Sequence, residues 1–263
     1  MIQYVCQPVP IPDTVKRSLH LLFFTIGGQI LRCFLQARCT LLVLLAFAVA
    51  TLARVFTPFW NWGGFDGYTV VFGLASFYVG FPIVQVLEEF FHAAVPVVKN
   101  RPGWLKGMLV ANLYAGDKKT IWLFMFVAIQ HQGNWSPLDS FHISAAGPLS
   151  VLVVAGLGFI VILAYGLLSG ASILYPSIAL SPFLVNGLLS LVPVRAVLGS
   201  DGANMVAMAR QLELGPLQFL KESLRSVGLI ANYLGRRALA RIRIQHIVLL
   251  GIVVFCGLLL SAS

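Results

Sequence analysis

Three ionisable residues, Glu88, Glu89 and His92, stand inside an apolar stretch running from Tyr68 to Val98. On a helix, positions 88 and 92 share one face, one turn apart, with Glu89 beside them. A charge placed at mid-bilayer costs about 2.5–3.5 kcal/mol on insertion scales, so such groups need partners or a bound ion. Their spacing is that of H-E-x-x-H, in which positions i and i+4 hold zinc and the intervening Glu is a general base. Here the first position is Glu88 rather than His. A buried Glu–His ion pair is the plainer reading of the same residues.

A second carboxylate-x-x-His, Asp139 with His142, follows downstream. Two such motifs suit a di-metal carboxylate bundle, which needs two further inward Glu residues; no other Glu lies within an apolar run. His142 or His131 could instead replace the missing His ligand. Three more segments combine small residues, polar groups and a helix breaker: Ser144 to Ser150 (S-A-A-G-P-L-S), Asn186 followed by Ser190-Leu191-Val192-Pro193, and Ser200-Asp201-Gly202. Asn186 is a candidate polar support or substitute ligand, or simply an interhelical hydrogen-bonding residue.

The elements that must position these residues are apolar. Of 263 residues, 59% are hydrophobic and only 10% are charged; mean hydropathy is +0.89. Soluble domains carry about 25% charged residues, so the composition points to a polytopic membrane protein. Candidate spans, each near the roughly 20 apolar residues a bilayer requires, are Thr40–Phe56, Tyr68–Val98, Ile143–Leu168, Ala171–Val194 and His246–Ser261. Leu21–Leu31 is shorter and is expected to be interfacial or half-buried. Ile121–Ile129 is expected to be a re-entrant piece or a membrane-edge strand, and Gly107–Ala115 has a strand-like composition. The fold expected is thus an all-α polytopic membrane protein of about five to six transmembrane helices, with a possible small membrane-edge hairpin. Its divisions are residues 1–67 (cytosolic N-terminal segment and first span), 68–205 (core) and 206–263 (amphipathic segment and last span).

The net charge is +9, from 18 basic and 9 acidic residues. In a membrane chain this excess marks cytosolic loops rather than a nucleic-acid surface. Placing Lys16–Arg38, Lys99–Lys119 and Arg195–Arg243 inside lets five spans alternate, with only Arg54 on the opposite side. Residues 211–245 mix Leu, Phe and Ile with Arg and Lys. They are expected to form an amphipathic helix on the inner membrane surface or a solvated helical pair. The four cysteines show neither a disulfide framework nor a zinc-knuckle spacing.

Taken in order, Glu88-Glu89-x-x-His92, Ala146-Gly147-Pro148-Leu149, and Asn186 with Pro193 and Asp201-Gly202 resemble the site-2 protease family of intramembrane zinc metalloproteases. The resemblance covers roughly Leu87 to Met205. It implies a three-helix core, with His92 and Asp201 as metal ligands and Glu89 as the catalytic base acting on a metal-activated water. Glu88 stands at the first ligand position. Carboxylate oxygens do bind zinc in mixed His/Glu sites, and one His with two carboxylates is a harder donor set that favours other divalent metals more than two His would. Pro193 breaks a helix, which would let Asp201 return to the ligand cluster.

The function implied is hydrolysis of a peptide bond in a membrane-embedded or membrane-associated substrate, with one Zn2+ or another divalent metal per chain and the active site towards the cytosol. The expected partners are the lipid bilayer and a peptide or transmembrane-segment substrate. Two rivals are a catalytically inactive relative that binds membrane segments, and a cation-coupled transporter using Glu88, Glu89 and Asp201. The absence of an internal repeat weighs against the transporter.

Overall fold

A computed structural model describes residues 2–56, 61–62, 65–116, 119–193 and 201–241. The elements in order are β1 (Ile2–Pro10), α1 (Asp13–Lys16), α2 (Leu19–Gln36), α3 (Arg38–Phe56), β2 (Asn61–Trp62), β3 (Phe65–Asp66), α4 (Gly67–Val98), β4 (Leu105–Ala115), β5 (Thr120–His131), α5 (Pro137–Ser169), α6 (Leu174–Leu191), α7 (Asp201–Gln211) and α8 (Pro216–Arg241). Most of the chain is helical. Among the described residues α2, α4, α5 and α6 are long and apolar enough to cross a membrane.

The all-α expectation is corrected by a three-stranded antiparallel sheet in the order β1–β4–β5. The hairpin β4–β5 falls on the strand-like stretch Gly107–Ala115 and on Ile121–Ile129, which is a strand rather than the re-entrant piece that was its alternative. The strand β1 was not anticipated, because the first residues look polar and carry Pro8 and Pro10. Proline within a run demotes it to an edge strand rather than abolishing it. Edge is where β1 lies, from Ile2 opposite Ala115 to Pro10 opposite Gly107. It thereby ties the chain's first residues to a strand drawn from the 68–205 segment.

The stretch expected to be interfacial or half-buried, Leu21–Leu31, is half-buried and belongs to the longer helix α2. Ser18 caps it by accepting a hydrogen bond from Leu21 N–H at 3.5 Å. Leu22, Ile26, Ile30 and Cys33 recur at helical spacing and are buried, so this face packs into the core rather than resting at an interface. With them pack Phe90, Ala93, Ala94 and Val97 of α4, Leu105, Met108 and Val110 of β4, Phe124 and Val127 of β5, and Ile230 of α8. The span expected at 246–261 lies outside the described residues.

Helix α5 begins with a strong local signal. The Ser136 hydroxyl accepts from Asp139 N–H at 3.1 Å, and Pro137 occupies the first turn, where its missing N–H costs nothing. The helix ends at Gly170, whose φ of 65° is the left-handed cap conformation. It packs against α4, α6, α7 and α8 and is the post around which the polar residues gather. Helix α6 stops at Leu191, just before Pro193, and α7 starts at Asp201.

Candidate metal centre

Glu88, His92 and Asp201 converge. One ligand atom from each lies within 4.8 Å of the others, although Asp201 is 109 positions from His92 in the chain. Glu88 and His92 are buried at 7% and 6% exposure. They come from one face of α4, as the i, i+4 spacing requires, and Asp201 comes from the first turn of α7.

The imidazole of His92 is fixed at both ends. Its Nδ1 lies 2.7 Å from the carbonyl oxygen of Ile143, to which it donates. Its Nε2 is thereby turned towards Asp201, with Oδ2 at 3.1 Å. Metal-binding histidines characteristically donate their second ring N–H in this way. Ligand atoms about 2.0–2.2 Å from a tetrahedral zinc are about 3.3 Å apart, so the His92–Asp201 separation suits a shared ion. Glu88 Oε2 accepts from Asn186 Nδ2 at 2.8 Å, which orients the carboxylate from α6. Donors of this number and chemistry fit a divalent cation, with Glu88, His92 and Asp201 as the residues that would hold it.

Two glycines admit this arrangement by their size. A Cβ on Gly147 would overlap the His92 ring, 2.5 Å from Cε1 and 2.9 Å from Cδ2. The ring therefore lies directly on the α5 backbone. A Cβ on Gly202 would collide with the Leu191 carbonyl, so the start of α7 lies against the end of α6 and carries Asp201 inward.

Glu89, the expected base, is not in the ligand cluster. Its Oε2 accepts from the backbone N–H of Ile129 on β5, at 2.7 Å. One turn earlier, Gln85 Oε1 accepts from Val127 N–H at 3.0 Å. All of these groups line a cavity of about 710 Å³, whose wall also includes Phe81, Met125, Ser144, Ser190 and Asn204. Asn186 borders it as well, and so does His131, whose buried Nε2 has no hydrogen-bond partner among the described residues.

The structure places His142 elsewhere. Its Nδ1 is 3.0 Å from Lys99 Nζ and its Nε2 is 2.9 Å from Glu222 Oε2, so both ring nitrogens are engaged away from the cluster. Asp139 pairs with Lys99 at 2.5 Å. The second carboxylate-x-x-His is thus a structural network joining Lys99, just past the end of α4, with α5 and α8, and neither residue reaches the Glu88–His92–Asp201 cluster. The His142 hydrogen bond, with Arg225 adding, holds the Glu222 carboxyl below the usual carboxylate range despite a smaller opposing cost of burial.

Gln85 was not singled out from the sequence, although a glutamine one turn before Glu89 in an apolar run was a usable signal. Lys99 and Glu222 gave none, since charged residues at helix ends and on amphipathic helices are ordinary. No protein-family model, curated protein or solved structure matches the chain, so the functional reading rests on this geometry.

Proposed function

We propose that the chain is a multi-pass membrane metallopeptidase, similar in its core to the site-2 proteases, with a divalent cation held by Glu88, His92 and Asp201. The observation that carries this reading is the convergence of these three side chains beside Glu89 on one cavity. It is a specific arrangement, because α4 and α7 are separated in sequence by the hairpin β4–β5 and by two long helices. Three ionisable side chains drawn together in so apolar a chain are costly unless something offsets their charge.

A divalent cation bound there would make a water more acidic and polarise a peptide carbonyl. The protein's own part is to hold that site and to move the proton. Glu89 accepts the proton of the attacking water and passes it to the leaving amine. Asn186 and the Ile143 carbonyl orient the ligands. Phe81 and Met125 add apolar surface to the cavity wall. The active site faces the cytosol in the orientation that the basic segments favour.

Glu88 in the first ligand position favours a second reading, a non-catalytic relative that binds membrane segments. Metal analysis of the purified full-length protein separates the two. About one divalent ion per chain is expected, retained in Glu89→Gln and lost in Glu88→Ala, His92→Ala and Asp201→Ala. The Glu88→His variant should shift the preference towards zinc over manganese. Absence of metal after reconstitution with zinc, manganese or iron(II) would sink the peptidase reading. Metal without turnover of single-span membrane peptides would favour the non-catalytic relative.

A further inference from the structure

The two contacts from α4 to β5 have a common geometry. Gln85 and Glu89 are one turn apart, and Val127 and Ile129 are alternate residues whose N–H groups point from the same edge of β5. Four helical residues advance about 6 Å, and two strand residues advance about 6.6–6.8 Å. The two side-chain oxygens therefore meet the strand at nearly the spacing of acceptors on a neighbouring strand. The other edge of β5 is taken by β4, and the far edge of β4 by β1. An extended peptide that enters the cavity and pairs with β5 finds no vacant donor at Val127 or Ile129, because Gln85 and Glu89 already hold them.

Resting on the peptidase reading above, we propose that Gln85 and Glu89 act as a surrogate strand, and that Gln85 is a specificity-determining residue. A peptide gains β5 only by offering two backbone carbonyls in place of the two side-chain oxygens. An extended segment can do so. A helical segment cannot, since its carbonyls are bonded within the helix. The same exchange releases the Glu89 carboxylate from Ile129 N–H at the moment a peptide bond arrives beside Glu88, His92 and Asp201.

The test uses the full-length protein in detergent micelles, with wild type beside Gln85→Ala and Gln85→Glu, the latter keeping an acceptor. The probes are a seven-residue capped peptide of alternating Val and Thr and a capped peptide of the same length held helical by a covalent side-chain staple. Hydrogen exchange follows the Val127 and Ile129 amides, and fluorescence anisotropy follows binding. In the free wild type both amides should be protected. In Gln85→Ala, Val127 should exchange about tenfold faster. The extended peptide should bind that variant about two- to tenfold more tightly than wild type, the worth of one ordinary hydrogen bond, and should restore protection. Gln85→Glu should stay near wild type.

Equal, weaker or absent binding to Gln85→Ala overturns the proposal. So does a helical peptide that binds as well as the extended one, or a lack of protection in the free wild type. Failure of the peptidase reading would be seen separately, as absence of metal with the amides still protected.

Discussion

Replacing Gly147 with alanine tests whether His92 is held on the α5 backbone for metal binding. The new methyl would stand 2.5 Å from Cε1 of the imidazole, and ordinary contact begins at 3.4 Å. Nε2 lies nearer still, so the ring must retreat by about 1.1 Å. That motion works against the 2.7 Å hydrogen bond to Ile143 and displaces Nε2 from its position 3.1 Å from Asp201. Metal sites tolerate ligand displacements of only about 0.2 Å, and disturbing a group that orients a ligand typically costs 10–100-fold in affinity. The expected result is a loss of metal affinity in that range, about 1.4–2.7 kcal/mol, read by competition with a chromophoric chelator. Gly156 in the same helix provides the control, because a Cβ there meets nothing within 4 Å; Gly156→Ala should bind metal as wild type does. A Gly147→Ala protein that folds and keeps wild-type metal affinity would refute the placement of His92, and with it the ligand cluster.

Two further perturbations address the groups around that cluster. Asn186→Leu removes the 2.8 Å donor to Glu88, and metal affinity should fall by about 10–100-fold; unchanged affinity would mean that Glu88 needs no orienting partner. Glu222, held below its ordinary value by His142 and Arg225, should give α8 an acid-sensitive attachment. Its contribution is complete above the ordinary carboxylate pKa of about 4.3 and is lost as pH falls through the lower folded value. Limited proteolysis should therefore find α8 increasingly cut as pH falls below about 4.3, with a flatter response in Glu222→Gln. The same response in both proteins would show that the His142–Glu222 link does not fasten the helix.

The long helices and the hairpin were legible because their signals are local. Apolar runs such as Tyr68–Val98 are continuous, and β4 and β5 carry strand-like composition on either side of a turn. The edge strand β1 was hidden, since most of its described side chains are exposed and its two prolines resemble a loop. Its pairing is decided by β4, some hundred residues away. Helix α2 was read as short because Arg32 ends its apolar run. What makes it a core element is the buried stripe from Leu22 to Cys33, which needs α4 as a partner.

The sequence alone determined the composition of the site. Glu88, Glu89 and His92 are bound to one another by helical spacing, and no fold that keeps α4 helical can separate them. It also determined that α6 stops near Pro193, because proline lacks the N–H and the room to continue the turn. Only the tertiary structure decided which distant groups reach that face. Asp201 arrives because Gly202 lets α7 lie against Leu191, and His92 is seated because Gly147 leaves room for its ring. His142, equally promising by spacing, is turned to Lys99 and Glu222 instead. The reason is physical: spacing fixes which side chains share one helix face, but the partners on other elements depend on how backbones approach, and that is set by packing across the whole core.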